Sequence, residues 1–384
     1  MQAERIVSVK HIGKQKTLDI EVNNNHHLFY GNGLATSNSH SIAYAKNSYW
    51  TAYAKAHWPL QFYASWLRGA NWKGQDKYDE IRDLVNDAKV HGYEVKVPSM
   101  INACETVNVQ DGFVYFGLSE MKDIGPASII DFYDGIKEVE TILGKTRKEF
   151  TWMDYLLYMT NKVRSNVTVA LVDVGAFDYT KLSRQRLKYE FEFWQKLSKG
   201  EQSYLKNTQY IEQNKPKWAN LLDALKDCKT EGCNDKNRVK IVETIISMLQ
   251  TPPRDLADTI ESISASEERI LGTPITCFKV DGCIEAMEAN ATCKECLLGK
   301  SKDIVVAVEI LDVIPKTTKK GKNPGQKMAS LVVCDSSATL TDLVCFPQEW
   351  TTLTNVLYKG NTVLMRLEKT QTGSFCVKKG RQIS

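Results

Sequence analysis

The length and composition of the chain indicate a folded protein with several domains. It has 384 residues, of which 42% are hydrophobic and 25% are charged. At about 150 residues per domain, this length fits roughly two to four domains. The net charge of +4 is too small to indicate nucleic-acid binding by itself. No apolar run reaches the roughly 18–20 residues that span a bilayer, and the N-terminus lacks a signal-peptide pattern. We therefore expect a cytoplasmic protein that makes no membrane contact.

The first 38 residues predict short β-strands. The runs "RIVSVKH" and "KTLDIEV" alternate as half-buried strands do, and "HHLFYGNGLATSN" adds a strand with Asn-Gly turn chemistry. The pattern changes at Ser39, where "SHSIAYAKNSYWTAYAKAHW" has helical spacing and Ser39 is the candidate N-cap. Asn38 therefore stands at a junction between a strand pattern and a helix pattern.

The rest of the chain predicts a mainly helical middle and a β-rich end. A Gly125-Pro126 turn separates two predicted helices, and residues 181–271 have a mainly helical pattern. From Ile304 the apolar period changes to two and gives about five strands. That number of strands suits a small Greek-key barrel.

A cluster among the ten cysteines allows two interpretations. The pair in "CKEC" has the spacing of a zinc knuckle, but the two nearby cysteines are irregularly spaced and no histidine lies near them. A structural Zn²⁺ ion is one interpretation, and buried thiols in a reducing compartment are the other. The candidate zinc ligands are Cys277, Cys283, Cys293 and Cys296.

An Asn followed by a hydroxyl residue at the end of a β segment has one specific chemical use. The Asn side-chain amide can attack its own carbonyl and cleave the next peptide bond through a succinimide, and the hydroxyl can accept an acyl group. An ordinary polar loop is the alternative. Residues 1–38 nevertheless resemble the C-terminal fragment of a split intein, in particular those of bacterial DNA polymerase III alpha subunits. The resemblance rests on "GKQ", "LDIEV", His26, Asn32-Gly33 and Asn38.

The resemblance to split inteins implies roles for individual residues. Asn38 would cyclise, and Ser39 would be the first extein residue and the nucleophile that receives the N-terminal extein. Asp19 and His26 occupy the positions of the assisting acid and base. Ser37 stands where many inteins have histidine, which questions the rate of cyclisation more than the activity. A methionine start is expected for a naturally split gene.

The segment "SHSIAYAKNSYWTAYAKAHWPLQFYASWL" resembles a stretch in the fingers of bacterial C-family DNA polymerases, which lies beside the incoming nucleotide. A helix N-terminus with hydroxyl and imidazole donors can bind a triphosphate. Tyr44 and Lys55 could instead simply cover the helix. The resemblance makes these residues candidates for nucleotide binding: Ser39, His40, Ser41, Tyr44 and Lys55.

Two further segments resemble the tandem helix-hairpin-helix region of the same polymerase family. They are "GFVYFGLSEMKDIGPASII" and "VRSNVTVALVDVGAFD". Such a motif holds DNA without sequence preference, because a glycine lets the backbone approach and amides at the helix start bind phosphate. A plain corner between two helices is the alternative. The hairpin residues are Ile124, Gly125, Pro126 and Ala127.

The terminal β region resembles the OB-fold of this family, which binds single strands through a basic groove and stacking rings. The basic candidates are Lys319, Lys320 and Lys322. Trp350 is the main candidate ring, while Phe346 and Phe375 could equally belong to the core. Residues 181–302 resemble the family least. The sliding clamp is a further candidate partner, for which the chain offers no assignable motif.

These resemblances imply a multidomain protein that works together with another chain. The expected domains are a β intein fragment, part of the polymerase fingers, a tandem helix-hairpin-helix region, a helical linker region with the cysteine cluster, and an OB-fold. Their ranges are 1–38, 39–100, 101–180, 181–302 and 303–384.

The expected function is that of the C-terminal part of a DNA polymerase III alpha subunit, joined by trans-splicing to an N-terminal half that carries the intein N-fragment. That half would hold the catalytic Mg²⁺ ions. Primer-template DNA and dNTPs would be the partners, in a bacterium or a phage-infected cell. One alternative is a non-catalytic DNA-binding accessory chain with an inactive intein remnant. Another is an autoprocessing protein unrelated to replication.

Overall fold

The computed structural model describes ten segments of the chain and divides it into two compact units, residues 1–59 and 60–384. For residues 28–43 it describes the backbone. The boundary between the units falls inside the segment that resembles the polymerase fingers. The described residues are 28–31, 34–37, 39–70, 77–122, 124–209, 218–228, 230–299, 302–318, 325–370 and 373–384.

The first unit contains a β-hairpin followed by a long helix. Strand β1 (Leu28–Gly31) pairs antiparallel with β2 (Leu34–Ser37), and Leu28 lies opposite Ser37. Helix α1 (Ser39–His57) begins two residues after β2 ends. The predicted change from strand to helix at Asn38 is therefore confirmed. The predicted splicing residues Asp19, His26 and Asn38 lie outside the described residues.

The second unit begins with two helices and a small sheet. The apolar residues of α3 recur at helical spacing, and Ile81, Leu84, Val85 and Ala88 are buried. In the sheet, β5 lies between β3, which is parallel to it, and β4, which is antiparallel. The bounds are α2 (Pro59–Ala70), α3 (Lys77–Val90), β3 (Val95–Lys96), β4 (Asn108–Gln110) and β5 (Phe113–Tyr115).

The middle of this unit is helical, as predicted. Its core includes the stacked rings of Trp152 and Tyr155, which lie edge-on to Phe177. Helix α5 continues as one turn of π-helix over Tyr155–Met159. The helices are α4 (Pro126–Leu143), α5 (Trp152–Asp154), α6 (Ser165–Asp173), α7 (Arg184–Lys196), α8 (Lys199–Thr208), α9 (Leu221–Cys228), α10 (Lys236–Gln250), α11 (Ile260–Leu271) and α12 (Cys293–Leu297).

A buried ion cluster links α7 to α11. The guanidinium of Arg184 is 3% exposed. Its Nη2 lies 2.8 Å from Asp178 Oδ2 and 3.0 Å from Glu267 Oε1. The other oxygen of the fully buried Glu267 accepts hydrogen bonds from the backbone amides of Ile275 and Thr276 at 2.7 and 2.8 Å. Each buried charge in this cluster therefore has partners, which is the condition for tolerating it in a protein core.

The chain ends in a closed five-stranded barrel, so the predicted β-rich end with about five strands is confirmed. The strand order is β10-β8-β7-β6-β9, closed between β9 and β10. Among the described residues of the barrel, β8 and β10 pair in parallel and the other neighbouring strands pair antiparallel. This arrangement is compatible with an OB-fold. The elements are β6 (Ile304–Thr317), β7 (Lys327–Cys334), β8 (Thr339–Cys345), α13 (Pro347–Leu353), β9 (Thr362–Lys369) and β10 (Phe375–Gln382).

Helix α3 contacts the barrel directly. The backbone amide of Thr339, the first residue of β8, donates a 2.5 Å hydrogen bond to Asn86 Oδ1. Val90 at the end of α3 packs against the barrel core. The helical region and the barrel are thus tied together within the second unit. Among the described residues, no helix is long and apolar enough to cross a membrane.

Candidate nucleic-acid interface

The predicted hairpin at Ile124–Ala127 forms the start of α4. Ile124 is 8% exposed and anchors the hairpin in the core, whereas Gly125, Pro126 and Ala127 are exposed. The segment before the hairpin is a single 3₁₀ turn over Leu118–Glu120, where the sequence predicts a helix. The fully buried Glu120 carboxylate accepts a hydrogen bond from the Gly117 amide at 3.0 Å, which holds this turn tight.

Gly125 is the N-cap of α4 and leaves the start of the helix without a side-chain cap. Its backbone is extended, with φ −92° and ψ 169°, and no side chain caps the helix. A Cβ atom at Gly125 would meet no atom within 4 Å. The space in front of the first turn is therefore open to a ligand. A helix start carries partial positive charge, which favours a phosphate. Pro126 has no N–H, and the amides of Ser128 and Ile129 donate to the Gly125 carbonyl at 3.0 and 3.2 Å. The Ala127 amide is therefore the candidate donor to a ligand.

A second hairpin repeats this arrangement at the start of α6. Val163 is 3% exposed and takes the place of Ile124, while the exposed Arg164 is the extended N-cap, with φ −64° and ψ 150°. No side chain caps this helix either. Arg164 and the exposed Lys162 place cationic groups beside the helix start. The sequence resemblance identified this segment, but it did not single out Arg164 or Lys162.

The two hairpins belong to neighbouring elements. Helix α4 packs on the π-helical turn, and a Cβ atom at Gly135 would lie 3.0 Å from Met159 Sδ. Lys162 Nζ lies 3.0 Å from Glu138 Oε2 of α4. The exposed Lys122, just before the first hairpin, is held by its backbone amide, which donates to the Ile270 carbonyl at 2.9 Å. The structure therefore places the two hairpins close to each other. The sequence did not single out Lys122, because one exposed lysine gives no periodic signal.

The barrel offers a groove beside helix α13. The groove has a volume of about 840 Å³, and its lining includes Lys327, Phe346 and Lys378. The ring of Phe346 is 40% exposed, whereas Trp350 is partly buried and packs against the barrel core. The predicted basic residues Lys319, Lys320 and Lys322 lie outside the described residues. Their DNA contacts, like that of Trp350, stay predictions.

The predicted nucleotide-binding residues all fall on α1. Tyr44 is 67% exposed, and Lys55 is half-buried near the end of the helix. For Ser39, His40 and Ser41 the helical backbone is described. Ser39 is the first residue of the helix, which agrees with the predicted helix start to within one position.

The structure does not bring the four candidate zinc ligands together. Cys293 and Cys296 are part of the barrel core, while the thiols of Cys277 and Cys283 donate to the carbonyls of Ile260 and Lys279. Burial raises the pKa of Cys277 to about 11 and that of Cys293 well above its ordinary value.

In the part of the chain that the structure describes, no group of three or more His, Cys, Asp or Glu side chains is placed to hold a metal ion. The zinc site stays a prediction. The CxxC spacing that suggested it comes from a short helix that packs its two cysteines against the barrel.

Comparison with known proteins relates part of the chain to a replicative polymerase. The DNA polymerase III subunit alpha of Aquifex aeolicus is 32% identical over 155 residues, which are 39% of this chain and 12% of that protein. The subunit of Mycoplasma pneumoniae is 34% identical over 93 residues, 24% of this chain and 10% of that protein. The subunit of Vibrio cholerae is 28% identical over 151 residues, 38% of this chain and 12% of that protein. Part of this chain is homologous to these alpha subunits.

The similarity covers a small part of each of these relatives. The matched region spans 10–12% of the length of the three proteins. No protein-family model matches the chain. The similarity supports a role related to replicative DNA polymerases. It carries no information on the predicted splicing residues.

Proposed function

We propose that this chain is the C-terminal part of a replicative DNA polymerase III alpha subunit and that its two hairpins hold DNA as a tandem helix-hairpin-helix. The observation that carries the proposal is the pair of uncapped helix starts at Gly125 and Arg164, where α4 packs on the π-helical turn that leads to α6. The similar alpha subunits are parts of DNA polymerases, which makes DNA the ligand that we expect at these helix starts. Two such sites can bind successive phosphates of one backbone without reading the base sequence.

The chemistry of this contact is electrostatic. The backbone amides at the two helix starts would donate to phosphate oxygens, and Lys122 and Arg164 would add positive charge beside them. Bound phosphates release counterions, so the affinity should fall steeply with salt. In this proposal the barrel groove beside Phe346 accepts a single-stranded segment, because an exposed ring can stack on a base.

A charge-reversal experiment tests the hairpin contact. Fluorescence anisotropy with labelled primer-template DNA would compare the double variant Lys122→Glu/Arg164→Glu with the matched control Lys137→Glu/Lys148→Glu. All four residues are exposed, but Lys137 lies in the middle of α4 and Lys148 lies in the 3₁₀ turn Arg147–Glu149 that follows it. We expect the first variant to bind at least tenfold more weakly, by analogy with other charge-assisted phosphate contacts. Equal losses in both variants would contradict the hairpin contact.

We further propose that Asn38 and Ser39 form a splicing junction that joins this chain to an N-terminal polymerase half. The support is the resemblance of residues 1–38 to split inteins, together with the strand that ends at Ser37 and the helix that begins at Ser39. Asn38 would cyclise, Ser39 would accept the N-terminal extein, and Asp19 and His26 would assist. The polymerase carboxylates and their Mg²⁺ ions would belong to the partner half, and the joined product would take up primer-template DNA and dNTPs.

Intact-mass spectrometry tests the splicing proposal. The chain would be mixed with a complementary N-terminal fragment that carries the other part of the intein. We expect a product in which the N-extein is linked to Ser39, together with a released fragment that ends in a succinimide at Asn38. The Asn38→Ala variant should release no such fragment. An unchanged mass with a folded partner would favour a DNA-binding accessory chain with an inactive intein remnant.

A further inference from the structure

A cavity of about 800 Å³ lies between the helical region and the barrel, and none of the hairpin residues lines it. Its walls come from the end of α3, strand β3, the segment after α11, helix α12 and the turn between β7 and β8. Pockets of roughly 300–1,000 Å³ are the size that holds small molecules and cofactors. The cavity is therefore large enough for a mononucleotide.

Two lysines line the cavity, and neither has a carboxylate at ion-pair distance among the described residues. Lys89 Nζ donates to the Ile275 carbonyl at 3.4 Å and lies 4.4 Å from the centre of the Phe278 ring. Lys294 Nζ donates to the Lys89 carbonyl at 3.3 Å. Among the residues that the structure describes, neither ammonium group forms an ion pair within 4 Å. Burial of an ammonium group is unfavourable. Burial accordingly lowers the pKa of Lys89, although carboxylates act in the opposite direction. These carboxylates are those of Glu267, Asp281 and Asp335.

The charges around the cavity leave a positive excess. A third lysine, Lys96, lies over the Phe113 ring at 3.3 Å and is 4.0 Å from Glu94 Oε2. The other carboxylate in the wall, Asp178, is paired with Arg184. Both acidic groups therefore already have cationic partners. Carboxylates farther from Lys89, among them Asp281 and Asp335, offset part of its charge without a direct ion pair. An anionic ligand in the cavity would supply a direct partner for Lys89 and Lys294.

The other side chains that define the cavity are aromatic rings and hydroxyl groups. Half-buried rings of Tyr93 and Tyr179 line the cavity, as does Phe278. Ser337 accepts a 3.0 Å hydrogen bond from the Lys294 amide, so the loop between β7 and β8 fixes the start of α12. Flat aromatic faces suit a nucleobase, because every base has a π-face that can stack. An anion site beside aromatic rings is the chemistry that recognises a nucleotide.

We propose that this cavity binds a nucleotide, with its phosphate at Lys89 and Lys294 and its base against the aromatic wall. A free nucleoside phosphate and one nucleotide of a single strand present the same chemistry. The site goes beyond the proposed function, since it shares no residue with the hairpins or with the splicing junction. It also connects the helical region to the barrel, because Lys89 belongs to α3 and Lys294 to α12.

Isothermal titration calorimetry with the full chain tests the site. The probes are dATP, deoxyadenosine and a twelve-residue oligothymidylate at fixed ionic strength. We expect Lys294→Gln to weaken nucleotide binding about tenfold, as for loss of a hydrogen bond to a charged group, and Lys359→Gln to leave it unchanged. Lys359 is exposed and does not line the cavity. Binding of dATP would identify a free nucleotide, whereas binding of the oligonucleotide alone, weakened by Lys294→Gln, would identify a strand.

Three results would overturn the proposal. They are no binding of either phosphate-bearing probe, equal binding by the wild type and Lys294→Gln, and deoxyadenosine binding as tight as that of dATP. The hairpin variant Lys122→Glu/Arg164→Glu should still bind dATP, which separates this site from the proposed DNA contact. A failure of the hairpin contact would leave the cavity result unaffected.

A measurement on the unmutated protein avoids any folding defect of a Lys89 variant. Acetylation of lysines by an N-hydroxysuccinimide ester would be followed by peptide mass spectrometry, with and without the phosphate-bearing probe that binds. We expect bound nucleotide to slow the acetylation of Lys89 and Lys294 several-fold and to leave that of Lys359 unchanged, since only the first two would contact phosphate. Equal rates with and without the probe at all three lysines would contradict the proposal.

Discussion

The start of α7 and the start of α4 differ in where their backbone amides find acceptors. At α7, the amides of Arg184 and Gln185 donate to the two oxygens of Asp258, at 2.7 and 3.0 Å, and the Arg186 amide donates to Ser183 Oγ. At α4, the N-cap is Gly125, and no side chain caps the helix. The amides of Ser128 and Ile129 donate to the Gly125 carbonyl, and Pro126 has no N–H, which leaves the Ala127 amide for a ligand. The first helix start is satisfied inside the protein, whereas the second is open to a ligand. The comparison separates helix starts that stabilise the fold from those suited to bind phosphate.

The same contrast extends to the side-chain charges. Arg184 is buried and has two carboxylate partners, whereas Arg164 is exposed at the start of α6. Removing a buried partner leaves another charge uncompensated, which costs stability. Removing an exposed arginine costs little stability and lowers mainly the affinity for the group that the arginine binds. Substitutions at the two kinds of site should therefore affect different measurements.

The largest effect is expected for Arg184→Met. This change leaves the buried Glu267 without its cationic partner, and loss of one member of a buried pair typically costs about 3–5 kcal/mol. Urea unfolding followed by circular dichroism would measure the loss. Lys196→Met is the control, since Lys196 is also on α7 but both it and its partner Glu192 are exposed. An equal loss of stability in the two variants would show that the buried cluster does not carry the expected stabilisation.

The next effect is expected at the start of α8, where Arg238 binds Glu201. Arg238 Nη2 lies 2.6 Å from Glu201 Oε2. Burial of Glu201 raises its pKa, but the hydrogen bonds from Arg238 and from the Ser198 amide outweigh burial and hold the pKa below its ordinary value. Arg238→Gln should cost about 1.5–3 kcal/mol near neutral pH, as for hydrogen bonds to charged groups.

The stabilisation by the Arg238–Glu201 pair should depend on pH in a predictable direction. A carboxylate with a depressed folded pKa stabilises the protein above its unfolded pKa and loses that contribution as the pH falls through the folded value. The difference in unfolding free energy between wild type and Arg238→Gln should therefore be full near pH 7. It should shrink as the pH falls below about 4, the ordinary range of a glutamate. A difference that stays constant down to the acid transition would exclude Glu201 as the partner responsible.

Much of the fold can be read from local patterns in the sequence. Two such patterns are the change from strand to helix at Asn38 and the change of period at Ile304. They are visible because each element buries one face, so its apolar residues recur with the period of a helix or a strand. The Arg184 cluster could not be predicted in the same way. It joins Arg184 to Glu267, which lies far along the chain, and no short-range pattern specifies such a pair. The zinc prediction has a related weakness, since CxxC spacing does not distinguish two buried thiols from two metal ligands.

The hairpins were predictable only in part. An apolar residue followed by an exposed helix start recurs at Ile124 and at Val163, and the resemblance identified both segments. The 3₁₀ turn before Ile124 was not predicted, because it depends on the buried carboxylate of Glu120 rather than on periodicity. The cationic residues beside the hairpins could be recognised as candidate DNA contacts only from the packing of α4 on the π-helical turn.

Ser183→Ala tests the satisfied helix start. Ser183 Oγ accepts from the Arg186 amide and donates to the Leu256 carbonyl at 2.5 Å. Loss of a serine N-cap typically costs about 1 kcal/mol, so the unfolding midpoint should fall. The affinity for primer-template DNA should stay unchanged, since this helix start has no free amides to offer. A clear loss of DNA affinity would remove the distinction between the two kinds of helix start.

Gly125→Ser is the opposite change, because it supplies a cap where the structure has none. The extended backbone of Gly125 suits a serine N-cap, and the space for its side chain is open. A serine hydroxyl would accept from an amide in the first turn, and replacing glycine by serine at an N-cap is worth only a few tenths of a kcal/mol of stability. The same amide would then be less available to phosphate. We therefore expect slightly higher stability with a lower affinity for DNA.

Two substitutions at Gly125 together make the comparison quantitative. Anisotropy titrations of Gly125→Ser and Gly125→Ala would share the same DNA and salt, since both add a Cβ atom but only serine adds an acceptor. Serine should weaken DNA binding more than alanine, because only the serine hydroxyl competes with phosphate for the amide. Equal affinities would indicate that the amides of α4 make no phosphate contact. The charge of Lys122 and Arg164 would then carry the interaction without them.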